Sequence, residues 1–574
     1  RDTDLDTKRE ELHDLLFRQL RAAFEQGQDT TPLEWVLTRN AIHVFQSVIS
    51  PRNEALAEFS LLSYLDAIVN NRDTSDLPTP STGFFTELTH LLKGVTTSTG
   101  LYYKQPPDFS RFEGREAAVR RSAYLDEMAR DAQRLLDSYP CGLDKEVIRN
   151  RSRNKDRILD YFKATDLEWG DWTWHTRNII RDADTLRSLV KLTDDEYEAI
   201  RLARESHIPF GVTPYTVSLM DYDPDTEADR AIRAQVIPSL HYVKSLQRMR
   251  ERAERSIDFM LERDTSPVEG VTRRYPMIAI LKPVLTCPQI CVYCQRNWEI
   301  TDVNAPNSVL ARGKLDEAIR WIQETDTLRE VLVTGGDPLL LSDDNLVDIL
   351  DRLADIEHLD RIRIGTRTPV TVPQRITESL VRDINQFNTP GEREILIVTH
   401  FEHPYEITPD SMGAVQKFRR YGMEVYNQLV YTTYNSRRFE AASLRRKLRL
   451  IGVTPYYTFN TKGKAETRDF RVPIARLQQE QKEEARLLPG AVRTDEIVFN
   501  VPGLGKNYLR AGQHHDLIAL LPDGRRLYEF HPWEKKLAPV DTYLYRDVSI
   551  QDYLERLESF GEDISEYSTI WYYY

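Results

Sequence analysis

Thr286–Trp298 reads TCPQICVYCQRNW and holds Cys287, Cys291 and Cys294, three of the four cysteines in a chain of 574 residues. The spacing is C-x3-C-x2-C, and Tyr293 directly precedes the last cysteine. Immediately upstream, Met277–Leu285 (MIAILKPVL) is an apolar run whose pattern predicts a buried parallel strand. Three thiolates then leave the carboxyl end of one strand together. Three soft ligands so close in sequence suit an iron–sulfur cluster held at three corners, with one iron left open to chemistry. The rival is a structural zinc site, which calls for four Cys or His ligands in paired spacing. No second pair lies nearby, and Cys141 stands far upstream in SYPCGLD. A disulfide within the triplet would strand a third thiol, so the cluster is the reading that spacing favours.

The motif resembles the signature of the radical S-adenosylmethionine (SAM) enzymes. That resemblance implies a [4Fe–4S] cluster whose open iron chelates SAM, with the aromatic at Tyr293 lying near the adenine. Composition is compatible with such an enzyme. The chain is 40% hydrophobic and 29% charged, as in soluble globular proteins, and is long enough for several domains. A net charge of −13 argues against a general nucleic-acid binder. No apolar run approaches the ~20 residues that span a bilayer. The opening RDTDLDTKREEL has no apolar signal core. Four cysteines fit a reducing compartment, so the expected location is the cytoplasm.

Residues 1–165 read as an all-helical amino-terminal extension. Leu5, Leu12, Leu15, Leu16, Leu20, Ala23 and Phe24 approximate a 3.6-residue stripe, and Pro32–Ser50 and Arg52–Asn71 behave alike. Asp73–Gly83 is a loop, helical signals resume over Glu116–Ser138 and Lys145–Lys163, and no internal repeat is evident. This region shows no catalytic constellation, which leaves it a scaffold or an accessory role. In EWGDWTWHTR, Trp169, Trp172 and Trp174 predict a packed junction between layers.

From Met277 onward strands and helices alternate. Met277–Leu285, Glu330–Thr334, Arg361–Thr366, Glu394–Phe401, Glu424–Val430 and Val453–Phe459 read as strands. Lys314–Glu324, Asn345–Ile356, Ile376–Gln386 and Arg438–Arg449 read as helices between them. Such alternation implies an α/β fold with a parallel sheet and right-handed crossovers, with its active site at the strands' carboxyl ends. The expected fold is therefore a partial (β/α)6 barrel.

Several segments together resemble the lysine 2,3-aminomutase family, whose members are radical SAM enzymes that also carry pyridoxal 5′-phosphate (PLP). They are Trp169–Ile180, PFGVTPYTVSLMD at 209–221, SPVEGVTRRYP at 266–276, IRIGTRTPV at 362–370 and THFEHP at 399–404. The resemblance runs from about 166 to about 535. It implies a helical lead-in region over 166–276, the barrel over 277–470, and over 471–574 a PLP-lysine loop with a capping region. Gly335-Gly336-Asp337, ending the second strand, resembles the loop that binds the amino group of SAM, since paired glycines let a backbone approach a ligand closely. On the same basis His400 and Gln428 are expected near SAM.

NVPGLGK, Asn500–Lys506, is not a phosphate P-loop. Lys506 is followed by Asn507, and the G-x4-GK spacing is missing. It resembles, one residue shorter, the family's glycine-rich loop ending in the catalytic lysine that bonds PLP. Arg274 and Tyr275 in RRYP resemble phosphate and cofactor contacts, whereas Ile278 stands where the family has a second arginine.

Arg296 matches the arginine that clamps the substrate α-carboxylate, a bidentate task suited to guanidinium. Lys462 and Asn500 occupy the positions of two aspartates that hold the distal ammonium in the lysine enzymes. Both negative charges are gone, as in the glutamate 2,3-aminomutase branch. The implied reaction is conversion of L-glutamate to 3-aminoglutarate by migration of the amino group. It would draw on an external electron donor such as a ferredoxin or flavodoxin, in a homo-oligomer. Aspartate, glutamine, lysine or arginine as substrate, another radical SAM reaction, and a binding or regulatory iron–sulfur protein are the alternatives. The further cysteine-ligated zinc of lysine aminomutases is not expected, because Cys141 alone lies outside the motif.

Overall fold

A computed structural model describes the chain except residues 1, 26–31, 71, 73–77, 102–106, 225–227, 304, 306, 513–514 and 533–541. Side chains at 2–4, 23–25, 32 and 486 also lie outside the description, so the expected roles of Ala23 and Phe24 do too. The same holds for the first part of the predicted 73–83 loop and the far end of the resemblance near 535. The chain divides into two compact units. One comprises Arg1–Gln133, Arg471–Leu487 and Lys506–Tyr574; the other comprises Arg134–Phe470 and Leu488–Gly505.

The second unit is built on a sheet whose strands follow the sequence in order. Val271–Tyr275 (β1) runs antiparallel to Ile278–Val284 (β2). From β2 onward every neighbour is parallel: Glu330–Gly335 (β3), Arg361–Gly365 (β4), Glu394–Thr399 (β5), Glu424–Tyr431 (β6), Thr454–Asn460 (β7) and Glu496–Val501 (β8). Each of the six strands predicted from sequence is present, with ends shifted by a residue or two. The parallel run continues one strand further into β8. A short strand, Gly505–Tyr508 (β9), follows where the chain passes into the other unit.

The strands form where apolar, β-branched residues run without interruption. In β5, EILIVT, all but the first residue are buried, as expected of a sheet covered on both faces. The intervening helices bury one stripe only. Asp343–Ala354, capped by Ser342, buries Leu346, Ile349, Leu350 and Leu353 at i, i+3, i+4 and i+7. The helix predicted from Ile376 begins only at Glu378, because the Thr377 side chain caps it by accepting from the Leu380 N–H. Trp169 and Trp174 are buried in the core of the lead-in helices, while half-buried Trp172 receives the Arg375 guanidinium 4.4 Å from its ring centroid.

In the first unit the predicted helices are present as Asp2–Glu25 and Pro32–Val48; the predicted 52–71 helix is split into Pro51–Ala57 and Leu61–Val69, and Thr82–Val95 is a further helix that was not expected. Of the amino-terminal stripe, Leu16 is buried and Leu5, Leu12 and Leu20 are half-buried, whereas Leu15 is exposed. The unit also contains an antiparallel sheet of His515–Leu520 (β10), Arg526–Phe530 (β11) and Tyr543–Arg546 (β12). The carboxyl-terminal aromatic run packs inside this unit: Tyr567, Trp571 and Tyr572 are buried, and Trp571 stacks on His90 at 4.8 Å. Among the described residues, no helix is long and apolar enough to cross a membrane.

Candidate active site

Successive strand ends of the second unit deliver their side chains to one cavity of about 270 Å³. Its wall includes Cys287, Cys291, Tyr293, Cys294 and Arg296 from the loop after β2, and Gly335, Gly336 and Asp337 from the end of β3. It also includes His400 after β5, Gln428 from β6, Lys462 after β7 and Asn500 from β8. Twelve residues chosen from sequence therefore meet around one space. Arg274, Tyr275 and Lys506 are not part of this wall. Arg274 and Tyr275 end β1, and Lys506 lies on β9, in the other unit.

The cysteine loop is pinned against the β3 turn through the backbone. Gly336 N–H donates to the Val284 carbonyl at 2.6 Å, and Asp337 N–H to the Thr286 carbonyl at 2.9 Å. Gly335 has φ +107°, and a Cβ on Gly336 would lie 2.1 Å from the Thr286 carbonyl oxygen, so only glycine fits there. The Asp337 carboxylate accepts from Thr366 Oγ1 (2.7 Å) and from the N–H groups of Leu339, Arg367 and Thr368. It ties the β3 and β4 ends together. Burial pushes the Cys287 thiol well up and raises that of Cys291, the latter opposed by Arg367.

Two N–H donors face cluster-motif sulfurs: Arg296 N–H lies 3.3 Å from Cys294 Sγ, and Arg367 Nη1 lies 3.0 Å from Cys291 Sγ. Among the described residues, no three His, Cys, Asp or Glu side chains gather as the shell of a single ion. A cubane cluster takes its three thiolates on three different irons and needs no such convergence.

Beside the cysteines lies a group of cations organised by a carboxylate that no motif announced. Glu262, fully buried, accepts from Arg296 Nε at 3.0 Å and from Gln295 Nε2 at 2.7 Å. Arg274 Nη2 stands 3.1 Å away and Lys282 Nζ 3.7 Å. Burial alone would raise the Glu262 carboxyl, but Arg296, Arg274 and Lys282 outweigh it and hold it down at about 2. Gln295 in turn accepts from the Lys462 ammonium. Burial, then the neighbouring Arg274 and Lys464, push the Lys462 amine well below its ordinary value. The arginine and the lysine expected at opposite ends of a substrate are thus joined through Gln295 and Glu262.

Three further residues escaped the sequence reading. Lys464, buried, pairs with Glu466 at 2.8 Å and donates to Asn297. Asn460, 1% exposed, lines the cavity with neither amide atom hydrogen-bonded. Glu402 also lines it, and burial lifts its carboxyl to about 8, whereas burial and Arg367 lower His400 to about 4. The only advance signal was, for Lys464 and Glu402, a charge close after a strand, and for Asn460 a polar residue ending one.

The profile of the radical SAM superfamily matches residues 281–442, the span from β2 to the helix after β6. With the parallel sheet and the cysteine loop, this defines a radical SAM protein. A KamA family protein of Methanocaldococcus jannaschii is 44% identical over 94% of this chain and 89% of its own length. Glutamate 2,3-aminomutase of Clostridioides difficile is 33% identical over 62% of the chain and 80% of its own length. L-lysine 2,3-aminomutase of Clostridium subterminale is 33% identical over 56% and 73% respectively. The chain belongs to the KamA family of radical SAM enzymes.

Membership of that superfamily implies SAM and a [4Fe–4S] cluster, and the residues fit both. Three thiols border one cavity with N–H donors facing two of their sulfurs. A doubly unpartnered Asn460 amide and a glycine backbone offer contacts to a polar ligand beside them.

Proposed function

We propose that the chain is a PLP-dependent radical SAM aminomutase for an amino acid with a distal carboxylate, converting L-glutamate to 3-aminoglutarate. The observation that carries this reading is the charge of the cavity wall. Arg296, Lys462 and Asn500 share the space bordered by the cysteines, and the positions where the lysine enzymes use aspartates bear an amine and an amide. In this reading Cys287, Cys291 and Cys294 hold the cluster. Tyr293, Gly335, Gly336, His400 and Gln428 surround SAM, with Asp337 holding their loops. Lys506, Arg274 and Tyr275 serve PLP. The Arg274 Nε is buried without a hydrogen-bond partner, as a donor awaiting a phosphate would be. Bound together, these groups supply hydrogen-abstracting power and a conjugated ring that carries the nitrogen between carbons.

The protein's own share is charge matching, orientation and exclusion of water. A lysine substrate would bring an ammonium against Lys462, with Lys464 also on the cavity wall, a like-charge contact costing several kcal/mol at low dielectric. Burial and neighbouring cations depress the Lys462 amine, and a distal carboxylate beside it would oppose both and draw it to its charged form. Arg296, aligned by Glu262, is left to grip the α-carboxylate in a fork.

The test is anaerobic turnover of the reconstituted enzyme with glutamate, aspartate, glutamine, lysine and arginine in turn, with β-amino products read by NMR. Glutamate is expected to react; turnover of lysine without glutamate overturns the proposal. Lys462→Asp with Asn500→Asp is expected to lower kcat/KM for glutamate at least a hundredfold, on the order of 3 kcal/mol. Unchanged glutamate kinetics would remove both residues from the substrate.

A further inference from the structure

Arg367 follows β4, the third strand of the parallel run, and its side chain has four partners at the cavity. Its Nη1 lies 3.0 Å from Cys291 Sγ, and its Nε donates to the His400 carbonyl at 3.1 Å. Its Nη2 donates to Glu406 Oε1 at 2.8 Å and to the Gln235 side chain. Its backbone N–H reaches the Asp337 carboxylate at 2.8 Å. The side chain is only 11% exposed. Gln235 also accepts, through its carbonyl, from Val292 N–H beside Cys291 at 2.8 Å, so the guanidinium is braced on the cysteine loop itself. A buried cation in contact with one cluster thiolate is a fixed charge at the place where an electron must arrive.

We propose that Arg367 sets the reduction potential of the cluster through Cys291, and that Glu406 trims its effect. The reduced cluster carries one more negative charge than the oxidised one. A guanidinium hydrogen-bonded to a ligating sulfur stabilises that form more and raises the potential, because hydrogen bonds to the sulfurs, net charge and solvent exposure are the levers on such centres. The carboxylate of Glu406 on the far side of the guanidinium works in the opposite sense. Arg367 is thus a positioning and tuning residue. It eases the electron in from the donor, and through its backbone and the His400 carbonyl it also holds the adjoining strand ends in register.

The experiment is a potentiometric titration of the reconstituted cluster followed by EPR, without substrate. With iron content measured alongside, Arg367→Met should lower the midpoint by the equivalent of about tenfold in the reduction equilibrium, about 59 mV for one electron. Arg367→Lys keeps the charge and should recover part of that loss. Glu406→Gln removes the opposing charge and should shift the midpoint upward. A role confined to packing would change loading and stability but give no shifts of opposite sign. Equal midpoints in the parent, Arg367→Met and Glu406→Gln overturn the proposal. So does failure of both variants to load any cluster, which would assign Arg367 to holding the loops alone.

Discussion

Glu262 is the anion against which the cavity's cations are arranged. It is fully buried, contacts Arg296 and Gln295 directly, and has Arg274 and Lys282 within ion-pair range. Removing it would leave those cations facing one another, so Glu262→Gln is expected to cost about 3–5 kcal/mol of stability at neutral pH. The pH dependence has a definite sign. The folded carboxyl is depressed to about 2, below its unfolded value of 4.5. Its contribution is therefore fully present above about pH 5 and is lost as pH falls toward 2. In urea unfolding followed by tryptophan fluorescence, the gap between parent and Glu262→Gln should be widest near pH 7 and close by about pH 2. A gap independent of pH would mean that Glu262 acts through shape and not charge. Nothing local in DFMLERDTS marks this residue, because its partners lie 12 to 34 positions away in sequence. The same distance hid Arg367, 76 residues from Cys291. Cys287 was legible from the cysteine spacing, whereas Arg296, Lys462 and Asn500 were singled out by the resemblance to the aminomutases; all four line the one cavity.

At the scale of elements, the β/α alternation was readable because each strand's buried run and each helix's apolar stripe is a local pattern. The antiparallel β1 depends on a pairing that no local pattern encodes; Glu496–Phe499 reads as strand-like, but nothing local says that it extends the parallel run as β8. What holds the two decisive loops together is backbone proximity. Gly336 faces Thr286 across a gap that a methyl group would close, with contacts of 2.1 Å to its carbonyl oxygen and 2.5 Å to its nitrogen. Both are main-chain atoms and cannot rotate aside. Gly336→Ala is therefore expected to push the β3 turn off the cysteine loop, costing about 1–3 kcal/mol. Because Thr286 directly precedes Cys287, the displacement should show first in the cluster. Iron content and visible absorbance after reconstitution should fall severalfold while far-ultraviolet circular dichroism stays near the parent's. Normal loading of the alanine variant would show that the turn has slack the packing does not suggest.

At the scale of the whole chain, the first unit gathers sequence from both ends. The helix Thr82–Val95 carries Glu87, whose carboxylate takes the Arg526 guanidinium of β11 at 3.0 Å, 439 residues along the chain. Arg526 also donates to the Trp571 carbonyl at 2.7 Å, which binds the terminal aromatic run into the same core. Arg52 pairs with Glu529 at 2.7 Å, and Ala57 packs with Ile518, Ala519, Leu521 and Leu527. Read as sequence, residues 1–165 are an all-helical extension with a scaffold or accessory role, and closure over four hundred residues leaves no periodic trace. The pairings instead make residues 1–133 a structural half of the domain that the chain's end completes. Cutting the chain before residue 134 would leave Arg526 buried without its carboxylate and strip the apolar face of the three-stranded sheet. Glu87→Gln alone is expected to cost about 3–5 kcal/mol, because a buried guanidinium loses its counter-charge. The truncated chain should lose the cooperative unfolding of this unit and aggregate on expression. The check is a comparison of chemical unfolding curves for the parent, Glu87→Gln and the truncation. A truncated protein that stays soluble and unfolds cooperatively at the parent's midpoint would show that the first 133 residues are dispensable to the sheet they cover.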